Sequence, residues 1–179
     1  MNIISVVGYS NSGKTTLIEF LIHALKSRGH RVGTIKKIHC ENYEIDKEGK
    51  DTYRHKVAGA DIVTGYSPNS TDIMIQNQID LCKLIEIYDV DYLLLEGPFE
   101  LNFPRIVTAA ACKDIEPFLN NEILFISGVI SESMDHYKNY RILNPIRDIK
   151  QMIEVIESMQ SDHTVSYTHL RAHETEADL

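Results

Sequence analysis

An α/β fold, with a mostly parallel, twisted sheet and helices on both faces, is predicted by two features of the sequence. Apolar, β-rich runs alternate with helical runs along the chain, the pattern that builds parallel sheets. Near the amino terminus stands GYSNSGKT, Gly8 to Thr15, a complete match to G-x-x-x-x-G-K-[ST]. It lies between an apolar run and a helical one, the strand–loop–helix context of a phosphate-binding loop, so the fold is of the P-loop NTPase type.

The elements follow in order. Ile3 to Val7 reads as a buried strand and Thr16 to Lys26 as a helix, which Gly29 stops just beyond Lys26 and Arg28. Strands are expected over Arg31 to Lys36, Asp61 to Tyr66, Asp72 to Gln76, Tyr92 to Leu95, Arg105 to Ala110 and Ile123 to Val129. Helices are expected over Asp51 to Ala58, Asp80 to Tyr88 and Asp148 to Met159, with Asp51, Asp80 and Asp148 where N-caps are wanted. In the last helix Ile149, Met152, Ile153, Ile156 and Met159 form one stripe, read as core cover. One domain, residues 1–160, accounts for all of this. Residues 161–179 read as a disordered tail. Within it VSYTHLRAHET, residues 165–175, resembles one reading frame of a transposon-adapter sequence used in preparing DNA libraries, so His169 and His173 are not taken as metal ligands.

Composition narrows the function classes. The chain has 179 residues, a formal net charge of -8 and a pI near 5.4, which argues against a general nucleic-acid or anionic-membrane surface. No leader pattern and no membrane-length apolar run is present, so a soluble cytoplasmic protein is expected. Cys40, Cys82 and Cys112 are widely spaced and suggest neither a disulfide framework nor a structural zinc site.

The chemistry concentrates in three places. Gly8 and Gly13 allow backbone that a side chain would obstruct, so that the N–H groups of Ser10, Asn11, Ser12 and Gly13 can face a polyphosphate at a positive helix end. Lys14 adds charge between the outer phosphates, the Thr15 hydroxyl suits magnesium, and Thr16 completes the nucleotide-binding run. Glu96, after the apolar strand Tyr92 to Leu95, stands where proteins of this type hold the water shell of their magnesium and should face Thr15. The polar connector from Lys36 to His55 holds Asp46, placed either to keep metal-bound water or to orient the attacking nucleophile. Lys50 or Arg54 can neutralise charge on a transferred phosphoryl group. The expected catalytic set is Lys14, Asp46 and Glu96; Thr15, Glu96 and Asp46 form the expected metal set.

GYSNSGKTTLIEFLIHAL, GTIKKIHC, DKEGKDTYRHKVAGAD and LLLEG together resemble the molybdopterin-guanine dinucleotide biosynthesis protein B family. The resemblance implies a GTP-binding protein that assists in attaching GMP to molybdopterin, with Gly8, Gly13, Lys14, Thr15, Asp46, Gly49, Lys50, Asp51 and Glu96 around the nucleotide. Two positions depart from the family pattern. Lys36-Lys37 and His39-Cys40 stand where members carry a lysine-histidine pair and a double histidine, and Pro98-Phe99 replaces the usual Phe-Lys after Glu96-Gly97. Guanine choice rests on the resemblance, since there is no N-K-x-D; within Asn144-Pro145-Ile146-Arg147-Asp148, Asp148 reads as a helix cap.

The expected function is therefore a magnesium-dependent GTP-binding accessory with weak GTPase activity in molybdenum or tungsten cofactor biosynthesis. A non-catalytic, nucleotide-dependent adapter of a guanylyltransferase is the alternative, and a small-molecule kinase a third. The expected partners are a guanine nucleotide and a molybdenum cofactor guanylyltransferase, with a homodimer left open and neither nucleic acid nor membrane.

Overall fold

The computed structural model describes residues 1–40, 43–120 and 122–159. The tail, with the expectations placed on residues 161–179, His169 and His173, lies outside the described residues. In chain order the elements are β1 (Asn2–Val7), α1 (Lys14–Ser27), β2 (Val32–Lys36), α2 (Asp51–Val57), β3 (Ile62–Tyr66), β4 (Thr71–Ile75), α3 (Leu81–Glu86), β5 (Tyr92–Glu96), β6 (Arg105–Thr108), β7 (Ile123–Ser127), β8 (His136–Tyr137), β9 (Tyr140–Arg141) and α4 (Ile149–Ser158). They fall into two compact units, Met1–Lys37 with Tyr88 onward, and Ile38–Ile87.

The first unit is built on a five-stranded sheet of order β2-β5-β1-β6-β7, parallel throughout. β1 and β5 carry continuous apolar runs because both of their faces are covered: Ile4, Val6, Val7, Leu93, Leu94 and Leu95 have no exposed surface. On one face Leu17, Leu21 and Leu25 of α1 and Met152, Ile153 and Ile156 of α4 close over Ile4, Val6, Leu94 and Phe125. The spacing of three and four residues in both helices is what turns these side chains to one side. On the other face Val7, Val107 and Ile126 pack with Ile115, Ile130 and Ile142. There the cover comes from 3-10 turns at Cys112–Asp114, Glu116–Phe118 and Val129–Glu132. α1 ends as its sequence implies: Gly29 donates to the Lys26 carbonyl and His30 to that of Leu25, closing the last turn.

In the second unit, α2 packs against β3, and β3 pairs antiparallel with β4. These two strands are not members of the parallel sheet, as strand–helix alternation alone would have them. Ser67–Ser70 is a tight turn held by the bond from Ser67 N to Ser70 O, and a connection so short permits only antiparallel pairing. One face of the ribbon carries Ile62 opposite Ile75 and Thr64 opposite Ile73, with Tyr66 beyond them. Ile62 is 60% exposed, Ile73 59% and Tyr66 88%.

The cap assignments divide. Asp80 caps α3, accepting from Cys82 N and Lys83 N. Asp51 is instead the first residue of α2, with extended Lys50 at the N-cap; its carboxylate sits in the first turn, where the helix dipole favours it. Asp148 holds the N-cap position of α4 but makes no side-chain cap, because its Oδ2 accepts from Asn144 N at 2.8 Å.

Candidate functional site

The loop from Gly8 to Gly13 leaves the carboxyl end of β1, the strand beside which the connections switch direction. β2 and β5 lie to one side of it and β6 and β7 to the other. Ligands of open parallel sheets settle in that crevice. The loop is held from below and from the side. Ser12 Oγ and Thr108 Oγ1 are 2.7 Å apart, and Thr108 Oγ1 in turn donates to the Val7 carbonyl at 3.1 Å. Val129 N donates to the Ser12 carbonyl at 3.2 Å. A Cβ on Gly8, whose φ is +149°, would lie 2.1 Å from the Thr108 carbonyl, and one on Gly128 would lie 2.1 Å from the Ser12 carbonyl. Two glycines, one in the loop and one after β7, thus let three backbone segments approach more closely than side chains allow.

Gly13, with φ +94°, is the N-cap of α1. Lys14 and Thr15 therefore open the helix, where unpaired N–H groups and the dipole give a positive end. Lys14 Nζ turns back over the loop and donates to the carbonyls of Gly8 (2.9 Å) and Tyr9 (2.7 Å). Partial burial holds its pKa below the usual lysine value; Glu96 opposes that shift and Lys36 adds to it. Ser10 and Asn11 are exposed at the loop tip, Asn11 with φ +62°, and Thr16 is exposed on the first turn of α1. Ser12 N donates to the Tyr9 carbonyl at 3.3 Å, so that amide also serves the turn.

Glu96 ends β5 with its side chain only 11% exposed. Parallel pairing sets Glu96 opposite Val6 of β1 and Lys36 of β2. Thr15 Oγ1 donates to Glu96 Oε1 at 3.1 Å, so the contact expected across 81 positions of sequence is present. Lys36 Nζ stands 3.0 Å from the same oxygen. A hydroxyl and a carboxylate are hard oxygen donors and suit magnesium. Thr108 and Gly128 carry no motif of their own, and Lys36, though part of GTIKKIHC, had no role assigned; each enters through pairing that joins distant stretches. The one available signal is a glycine inside the expected strand Ile123 to Val129, since the strand ends at Ser127, just before Gly128.

Asp46 and Lys50 belong to the second unit. Asp46 Oδ1 accepts from Lys47 N at 2.9 Å, whereas Oδ2 is enclosed with no hydrogen-bond partner. It lines a cleft of about 440 Å³ together with Tyr43, Glu44, Lys56 and the edge of β4. Lys56 pairs with Glu44 at 2.8 Å, and that bond holds its pKa above the usual lysine value. Lys50 is exposed at the N-cap of α2. Asn144 is occupied in shaping its own loop: its Oδ1 accepts from Ile146 N and Arg147 N, and its Nδ2 donates to Ser131 Oγ.

The sheet order, the switch point and the glycine loop define an α/β protein of the P-loop NTPase type. The chain belongs to the molybdopterin guanine dinucleotide synthesis protein B family, whose match spans residues 3–132. It is 32% identical over 143 residues to a Bacillus subtilis protein named "probable molybdopterin-guanine dinucleotide biosynthesis adapter protein", covering 78% of this chain and 81% of that one. It is 29% identical over 170 residues to the molybdopterin-guanine dinucleotide biosynthesis adapter protein of Escherichia coli K12, covering 90% and 95%. The crystal structure of Bacillus subtilis MobB superposes with a TM-score of 0.71 at 27% identity, covering 93% of this chain and all of that one.

Proposed function

We propose that this protein binds a guanine nucleotide with magnesium at the Gly8–Thr15 loop, hydrolyses it weakly, and serves as an accessory to the guanylyltransferase that builds molybdopterin guanine dinucleotide. The observation that carries the reading is the Thr15 hydroxyl at 3.1 Å from the Glu96 carboxylate, beside a glycine loop at the open end of the sheet. In this reading Gly8, Ser10, Asn11, Ser12, Gly13 and Thr16 surround the phosphates, and Lys14 exchanges its two carbonyl partners for phosphate oxygens. Thr15 and Glu96 hold the magnesium, which supplies charge neutralisation on the phosphates when bound. Asp46 orients water with its unpartnered oxygen or joins the metal's hydration shell, and Lys50 offsets developing charge.

The adapter names of the relatives support a protein partner. The exposed apolar face of the β3–β4 ribbon supports a second copy of the chain as a further partner. Among the described residues no helix is long and apolar enough to cross a membrane, and a cytoplasmic location fits the proposed partner enzyme. Single-turnover hydrolysis of GTP, with and without the guanylyltransferase, tests the reading. Slow turnover that the partner accelerates is expected. Undetectable turnover in both cases, with binding intact, would replace the GTPase by a non-catalytic adapter, and a phosphorylated small molecule among the products would make the protein a kinase.

A further inference from the structure

We infer that Lys36 is an exchangeable counter-ion of Glu96, whose ammonium yields the carboxylate to a divalent cation and turns to the phosphates of the bound nucleotide. The inference rests on the proposed magnesium–nucleotide site and assigns a positioning role to a residue outside the phosphate loop. Lys36 Nζ, at 3.0 Å, and Thr15 Oγ1, at 3.1 Å, use the same oxygen of Glu96. A divalent cation that takes the place of the Thr15 proton on Oε1 would meet the ammonium on the same oxygen, where like charges repel each other. In that arrangement one of the two withdraws.

The local structure makes Lys36 the one able to do so. Its backbone is fixed by the parallel register that sets it beside Glu96 and by the bond from Lys37 N to the Glu96 carbonyl at 2.9 Å. Its side chain remains 55% exposed, whereas that of Glu96 is 11% exposed. The ammonium is therefore tethered at its base and free at its tip. The neighbouring Lys37 is differently occupied, with Nζ 5.8 Å from the centre of the Phe99 ring, and serves as the control. A static surface ion pair would neither compete with a metal nor change its coupling to nucleotide.

The test is the coupling ratio, the Kd of a fluorescent GTP analogue in chelator divided by its Kd in saturating magnesium. Lys36→Met should raise this ratio about five- to tenfold, the scale of one charge-assisted hydrogen bond discounted for exposure. Without metal, the nucleotide then meets a Glu96 carboxylate stripped of its counter-ion. With metal, the lost phosphate contact is offset because no Lys36–Glu96 pair has to be broken, so the loss falls mainly on metal-free binding. Lys36→Arg should keep the ratio near that of the parent, Lys37→Met should leave it unchanged, and in a Glu96→Gln background Lys36→Met should no longer move it. Equal weakening of both constants by Lys36→Met, or no change in either, would overturn the inference while leaving the nucleotide site intact. If the parent binds no nucleotide in either condition, the site itself is wrong and this role falls with it.

Discussion

Thr15 and Glu96 meet because β1 and β5 are neighbours in a parallel sheet, so the first turn after one strand lies over the last residue of the other. If the hydroxyl and the carboxylate act through a shared cation, as proposed, substitution should separate metal-assisted from metal-free binding. Thr15→Ala and Glu96→Gln are each expected to lower nucleotide affinity about tenfold or more in magnesium and no more than about threefold in chelator, measured by fluorescence titration. Equal losses would make both residues structural. Lys14, Thr15 and Glu96 were legible in the sequence because each occupies a fixed place in a local pattern. The pairing of Lys36 with Glu96 was not, since the two stand on different strands and only the register of β2 on β5 brings them together. Asp46 was legible as an acid in a polar connector, but its two oxygens differ in a way that only their surroundings reveal.

The loop itself is shaped by elements that no local pattern contains. Thr108 at the end of β6 and Gly128 after β7 form the wall against which Gly8 and Ser12 rest. Gly8→Ala places a methyl group against the Thr108 carbonyl and imposes a φ that side chains avoid. It should cost about 2–4 kcal/mol of stability in a denaturant titration. A loss below about 0.5 kcal/mol would mean that the loop moves freely away from β6. Most elements follow from hydrophobic period and length, as in α4, where the stripe from Met152 to Ile156 is buried as its spacing implies. The ends are less legible. β6 stops at Thr108 and β7 at Ser127 because the segments beyond them bond to each other and to the glycine loop. Asp51 resembled a cap by residue type, yet the chain enters α2 one residue earlier. β3 and β4 were legible as strands but not as a separate ribbon, because alternation in sequence does not state which strands pair.

At the scale of the molecule, the order β2-β5-β1-β6-β7 sets the carboxyl end of the central strand at the point where connections diverge, and the loop that follows it is packed closely against the ends of β6 and β7. The second unit supplies a different chemistry: an acid with an unpartnered oxygen, a Lys56–Glu44 pair and an exposed apolar ribbon face. A glycine loop at the sheet's open end in one unit and an exposed apolar ribbon face in the other are compatible with the proposed accessory role. The central claim is that Gly8–Thr15 holds a nucleotide by its phosphates. It is tested most directly by calorimetric titration of the parent and Lys14→Ala with GTP and magnesium, with ATP as competitor and melting curves of both proteins in buffer. Saturable binding of GTP by the parent is expected, with ATP competing at least about tenfold more weakly, and no measurable binding by a Lys14→Ala protein that melts as the parent does. Undiminished binding by Lys14→Ala would contradict the loop's assignment, and equal displacement by ATP would contradict its specificity for guanine.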